Sequence, residues 1–171
     1  CVSKGLTGGY MPMSITIVQE KIYEAFYADW SAGRAFMHSH TYAGNPLGCA
    51  AALAVLDILD EENILEQAAH TAAWLTEHMT ETFGAHPNVG EIRHIGLIHA
   101  VELVEDRAEK RPFDGKRRLG YAIYRRALQH GLLLRPLGDV LYLNPPLNIG
   151  RDDLETAIDR MKLSMDEVLG A

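Results

Sequence analysis

Ser3-Lys4-Gly5-Leu6-Thr7-Gly8-Gly9-Tyr10 sets one lysine among small, flexible residues, directly after the apolar pair Cys1-Val2. Glycines leave room for a planar group to approach the amine. A lysine that attacks a carbonyl must be neutral, and burial or nearby positive charge lowers its pKa to that end. By residue type alone, Lys4 is either such an amine or an ordinary lysine on a solvated glycine turn. Both readings stand at this point.

Outward from there, residues 11–18 (MPMSITIV) are rich in β-formers and read as a strand. Residues 19–26 place Ile22, Tyr23 and Phe26 at helical spacing. Residues 28–33 read as a loop, and 36–44 as a second, longer one. Asn45 then suits an N-cap and Pro46 the first helical position. Leu47, Ala50, Ala51, Ala54, Val55 and Ile58 predict one apolar stripe, its alanines allowing close packing. After a break at 60–63, Leu65, Ala68, Ala72, Leu75 and Met79 predict a second helix, ended at Gly84.

Beyond a turn at 87–90, residues 92–95 and 97–104 read as two strands bent at Gly96. Residues 105–116 are charged and loop-like. Residues 117–130 read as a helix with Tyr121, Tyr124, Ala127 and Leu128 on one face, closed by Gly131. Residues 132–135 and 140–143 are expected as short strands, the second stopped by Pro145-Pro146. A last helix from Arg151 carries Leu154, Ala157, Ile158, Met161, Met165 and Val168, with Asp152, Asp153 and Glu155 at its positive end. From residue 85 this order suits a small, mostly antiparallel sheet covered by helices on one side.

The 171 residues are 47% hydrophobic, enough for a folded core. A formal net charge of -7 argues against nucleic acid or an anionic membrane as the main partner. Two cysteines, Cys1 and Cys49, do not make a disulfide scaffold, and a reducing cytoplasm fits. No apolar run is long enough to span a bilayer, and no signal peptide is visible. His38 and His40 alternate but have no carboxylate or cysteine at ligand spacing, so no metal is expected. His94 and His99 flank the bend at Gly96 and read as structural.

SKGLTGGYMPMS (3–14) followed by FMHSHTYAGNPLGCAAALAVL (36–56) resembles the class III (omega) pyridoxal-phosphate aminotransferases. LLLRPLGDVLYLNPPL (132–147) narrows the likeness to the members that serve biotin synthesis. The resemblance implies that Lys4 holds pyridoxal 5'-phosphate and moves a proton between substrate and cofactor carbons. It implies that His40 and Thr41 bind the phosphate of the neighbouring subunit's cofactor in a homodimer, with Ser39 beside the substrate. It further implies that Arg135 grips the carboxylate of the acceptor, 8-amino-7-oxononanoate, with Tyr142 nearby. The amino donor would be S-adenosylmethionine, or lysine as in some relatives.

Residue by residue, bland readings remain. Thr41 could be an ordinary loop residue, Arg135 a surface arginine and Tyr142 a core tyrosine. The implied fold is α/β, α+β in its C-terminal part. Residues 1–45 would end the large cofactor-binding domain of a fold-type-I transferase, 46–84 would link, and 85–171 would form the small domain. The likeness covers only the later part of such enzymes, and the chain opens on the lysine motif. The expectation is a C-terminal piece, inactive alone, whose residues 1–45 pack on a second copy or depart from the parent conformation. The alternatives are a piece of another omega-aminotransferase and a non-catalytic folding or dimerisation module.

Overall fold

The computed structural model describes residues 1–170, which divide into two compact units, residues 1–63 and the chain from Ile64 onward. In the first, β1 (Val2–Ser3) pairs antiparallel with β2 (Ser14–Ile15). The strand expected over 11–18 is therefore only two residues long: Pro12 removes a donor before it, and beyond it the chain gains no ladder partner. A 3-10 turn, Lys4–Thr7, follows β1. Helix α1 (Glu20–Phe26) forms where expected, and α2 (Pro46–Glu61) starts on Asn45, whose side chain accepts from the Leu47 N–H.

The buried side of α2 is Gly48 and Ala52, with Ala51, Val55 and Leu59 partly covered. Of the expected stripe, Ala51 and Val55 belong to it, while Leu47 is 67% and Ile58 46% exposed. Small residues decide the packing here. An added Cβ at Gly48 would lie 3.4 Å from the Met13 sulfur, and one at Gly8 would lie 3.4 Å from Val55 Cγ2. The lysine turn and Met13 thus sit on the side of α2 that lacks bulk.

The second unit has a core of its own. Helix α3 (Ile64–Phe83) leads into β3 (Val89–Ile95) and β4 (Ile98–Leu103), an antiparallel hairpin closed by Gly96-Leu97 with Gly96 at φ +53°. After the charged loop come α4 (Leu119–Gln129), β5 (Val140–Leu143) and α5 (Arg151–Leu169). The sheet order is β3-β4-β5, all antiparallel. Alternation along β4 and β5 turns His99, Val101, Leu103, Leu141 and Leu143 to the buried face.

Leu75, Met79 and Phe83 of α3, Ile123 and Ala127 of α4, and Leu154, Ile158, Met161 and Met165 of α5 pack into the same cluster. Each large member contributes roughly 1.5–3 kcal/mol by burial. Three expectations shift by a residue or a partner. Ile64 and Phe83, not Leu65, complete the α3 stripe. The buried face of α4 is Leu119, Gly120, Ile123 and Ala127, leaving Tyr121 and Leu128 outside. Residues 132–135 form no strand: the Leu132 N–H closes the end of α4 on the Ala127 carbonyl, and Leu137 bridges back to Val140. No helix of the described residues is long and apolar enough to cross a membrane.

Candidate functional site

Lys4 opens the 3-10 turn with φ +54°, a left-handed conformation that costs a non-glycine residue about 1–2 kcal/mol. The turn that follows it is tied off. The buried Thr7 hydroxyl donates to the Met11 carbonyl at 2.6 Å and accepts from the Met11 N–H at 3.3 Å, tying off the turn. The Gly8 N–H closes on the Gly5 carbonyl at 3.0 Å, and Gly8 and Gly9 both take positive φ. Lys4 itself is exposed and makes no ion pair among the described residues. Nothing lies within 4 Å of a Cβ built at Gly5 or Gly9, so the glycines in and after the turn leave open space.

Ser39, His40 and Thr41 lie together in an exposed stretch just before α2. The Tyr42 N–H donates to His40 Nδ1 at 3.2 Å, and the Ala43 N–H to the His40 carbonyl at 2.9 Å. The imidazole is thus engaged by its own loop. The Thr41 hydroxyl and the N–H groups of 40 and 41 carry no hydrogen bond among the described residues. These are the donors a phosphate needs.

Arg135 lines a hollow of about 350 Å³ with Tyr121, Tyr124, Leu133, Leu134 and Pro136. Buried Leu134 anchors the segment, so Arg135 points away from the core beside an apolar wall. Tyr142 does not line that hollow. It sits on β5 opposite Ala100, half-buried on the face of the sheet turned away from the core.

The remaining polar burial is structural. His99 is buried, its Nε2 3.0 Å from the Thr76 hydroxyl, and it stacks on His94 with ring centroids 5.0 Å apart. Burial lowers its pKa, against a smaller opposing effect of the Leu97 backbone. His86 Nδ1 accepts from the Asn88 N–H at 3.1 Å, and its Nε2 lies 3.4 Å from Asp166. Burial, reinforced by Lys162, also lowers the His86 pKa, against the opposing pull of Asp166. No group of His, Cys, Asp and Glu among the described residues could hold a metal ion. The sequence reading passed over Arg118 and Asp139, which share a second hollow. The left-handed backbone that distinguishes Arg118 leaves no mark in its residue type.

An exposed lysine beside open glycines, and a loop of free donors, fit pyridoxal phosphate. The family profile described as "Aminotransferase class-III" matches residues 1–165. Adenosylmethionine-8-amino-7-oxononanoate aminotransferase of Geobacter sulfurreducens is 40% identical over 169 residues, covering 99% of this chain and 37% of the relative. The protein of that name from Anoxybacillus flavithermus is 42% identical over 166 residues, 97% of this chain and 36% of its own. Diaminobutyrate--2-oxoglutarate transaminase of Halomonas elongata is 36% identical, with 99% and 37% covered. The chain therefore spans a little over a third of these relatives' length.

Among solved structures, the adenosylmethionine-8-amino-7-oxononanoate aminotransferase of Methanocaldococcus jannaschii superposes with a TM-score of 0.90 at 33% identity, over 96% of this chain and 37% of that one. A PLP-bound aminotransferase mutant from Vibrio fluvialis superposes with a TM-score of 0.88 at 31% identity, over 98% and 37%. This chain belongs to the class III aminotransferases, a family of pyridoxal-phosphate-dependent enzymes.

Proposed function

We propose that the protein containing this chain is the aminotransferase of biotin synthesis that converts 8-amino-7-oxononanoate to 7,8-diaminononanoate, with S-adenosylmethionine as donor. The names of the relatives at 40% and 42% identity support the substrate. The observation that carries the reading is Lys4 held in a left-handed turn seated on α2, with free space beside it. Backbone strain of this kind persists where the surrounding structure over-determines it, and it clusters at active sites.

Bound pyridoxal phosphate supplies the electron sink for amino transfer. Lys4 Nζ takes the proton from the amine-bearing carbon of the donor and delivers a proton to the acceptor carbon. Thr41 and the backbone of 40 and 41 donate to phosphate across a homodimer interface, and Ser39 lies by the substrate. Exposed Trp30, Phe36 and Met37 before that loop give such an interface apolar surface. Arg135 fixes the acceptor carboxylate by paired hydrogen bonds, with Tyr142 nearby. This chain alone is inactive.

The test uses the full-length protein. Lys4→Ala should abolish turnover with the fold intact, and Arg135→Ala should raise the KM for the acceptor by about tenfold or more. A Lys4→Ala enzyme that transaminates at the normal rate overturns the assignment. The likeness to a diaminobutyrate transaminase favours a second reading, another omega-aminotransferase. A screen in which diaminobutyrate outcompetes 8-amino-7-oxononanoate would select it.

A further inference from the structure

Arg118 and Asp139 line one hollow of about 270 Å³ with Gly115, Tyr121, Pro136 and Gly138. They carry opposite charges, yet no ion pair joins them. Arg93, Arg111 and Arg126 each hold a carboxylate, whereas Arg118 shares a hollow with Asp139 and pairs with no carboxylate among the described residues.

Both ends are fixed. The Asp139 carbonyl accepts from the Leu103 N–H of β4 at 2.9 Å, and its Oδ1 accepts from the Gly120 N–H at 3.1 Å. Its other carboxylate oxygen has no partner among the described residues. Arg118 sits at φ +47°, ψ +48°, locked between the Gly115–Arg117 turn and α4. Its N–H donates to the Gly115 carbonyl at 3.2 Å, and its carbonyl accepts from the Ala122 N–H at 3.0 Å. The guanidinium lies 4.6 Å over the Tyr121 ring. Gly120 packs against the Gly138 carbonyl so closely that a Cβ has no room, which holds the two walls in place.

We infer that this hollow binds the zwitterion of a free α-amino acid. The carboxylate pairs with the Arg118 guanidinium, the ammonium donates to the free Asp139 oxygen, and an apolar side chain lies on Tyr121 and Pro136. A simple carboxylate meets Asp139 as a like charge, and a simple amine meets Arg118. Only a ligand carrying both charges satisfies both ends. The volume is at the small end of ligand pockets, which suits an amino acid and excludes a nucleotide. The inference does not rest on the aminotransfer reading: Arg118 and Asp139, which carry it, have no role there, and only Tyr121 and Pro136 also border the Arg135 hollow.

Calorimetric titration of the 171-residue chain with L-leucine, 4-methylpentanoate and 3-methylbutylamine tests it. Leucine should bind saturably, and each single-charge analogue about tenfold or more weaker. Arg118→Gly adopts the left-handed backbone without strain, so it should keep or raise the melting temperature while weakening leucine binding about tenfold or more. Asp139→Asn keeps the acceptor for Gly120 and should weaken binding similarly. No saturation by leucine in the millimolar range, 4-methylpentanoate binding as tightly as leucine, or unchanged binding by Arg118→Gly overturns the proposal.

Discussion

The two units solve the same problem to different extents. From Ile64 onward, three helices and a three-stranded sheet bury one contiguous cluster of large side chains. Residues 1–63 bury only Thr7, Gly48 and Ala52 to that degree, while Tyr10, Trp30, Met37, Leu47 and Leu53 stand more than 60% exposed. Helix α2 is apolar around much of its circumference, which in a globular protein marks a helix covered on several sides. A segment can thus carry the sequence pattern of an interior while supplying almost none of that interior itself.

Core truncation should separate the units most sharply. Met161→Ala removes a fully buried side chain of α5 and should cost the second unit about 2–5 kcal/mol. Leu53→Ala, on the exposed side of α2, should change stability by less than about 0.5 kcal/mol. The two tryptophans fall one in each unit, so Trp30→Phe and Trp74→Phe backgrounds let denaturant unfolding be read separately for each. A Leu53→Ala cost equal to that of Met161→Ala would remove the distinction.

Glycine substitutions give a smaller contrast. At Gly120 an added methyl collides with the Gly138 carbonyl, a backbone atom that cannot rotate away. Gly120→Ala should cost about 1–3 kcal/mol. At Gly5 nothing lies within 4 Å and φ is not positive, so Gly5→Ala should leave melting unchanged or slightly raised. Equal losses at both positions would mean that the lysine turn is packed as tightly as the second unit.

This difference also explains what was legible in the sequence. The α5 stripe, two strands meeting at Gly96 and a mostly antiparallel sheet were readable because the partners of these residues lie within this chain. Leu154, Ile158, Met161 and Met165 face a core that this chain contains. The α2 stripe misled because hydrophobicity marks what wants cover, whereas the contacts made here depend on the absence of bulk at Gly48 and Ala52. Residues 132–135 have strand composition, but a strand also needs a neighbour with free N–H and C=O groups, and composition does not report that. Of the candidate site, the lysine among glycines and the 39–41 loop were visible as motifs. The Arg118–Asp139 hollow was not, since it joins residues 21 apart through a backbone conformation no residue type announces.

A pH dependence should also belong to the second unit. Burial lowers the pKa of both His86 and His99 below the ordinary 6.5. In the window between each folded pKa and 6.5 the unfolded chain binds more protons than the folded one. Stability is therefore complete above 6.5 and falls as pH drops through that window. Asp166 opposes this at His86, while Lys162 there and His94 beside His99 reinforce it. Melting followed at Trp74 from about pH 8 to about pH 5 should show the decline, flattened in His99→Gln. A melting temperature that rises on acidification would contradict it.

The smallest effect should come from the solvent side of the sheet. Arg93 lies between Glu91 on its own strand and Glu102 on β4, and all three side chains are 41–47% exposed. Such exposed pairs contribute about 0.2–1 kcal/mol and weaken with salt. Glu91 and Glu102 are direct cross-strand neighbours, so Arg93→Ala also leaves two like charges facing each other. The loss should therefore shrink when Glu102→Gln is added, and shrink again as salt rises. If Arg93→Ala instead cost as much as Met161→Ala, with no rescue by the second change or by salt, this face would be holding the unit together. The division between a buried core and a solvated face would then be wrong for the half of the molecule where it is drawn most firmly.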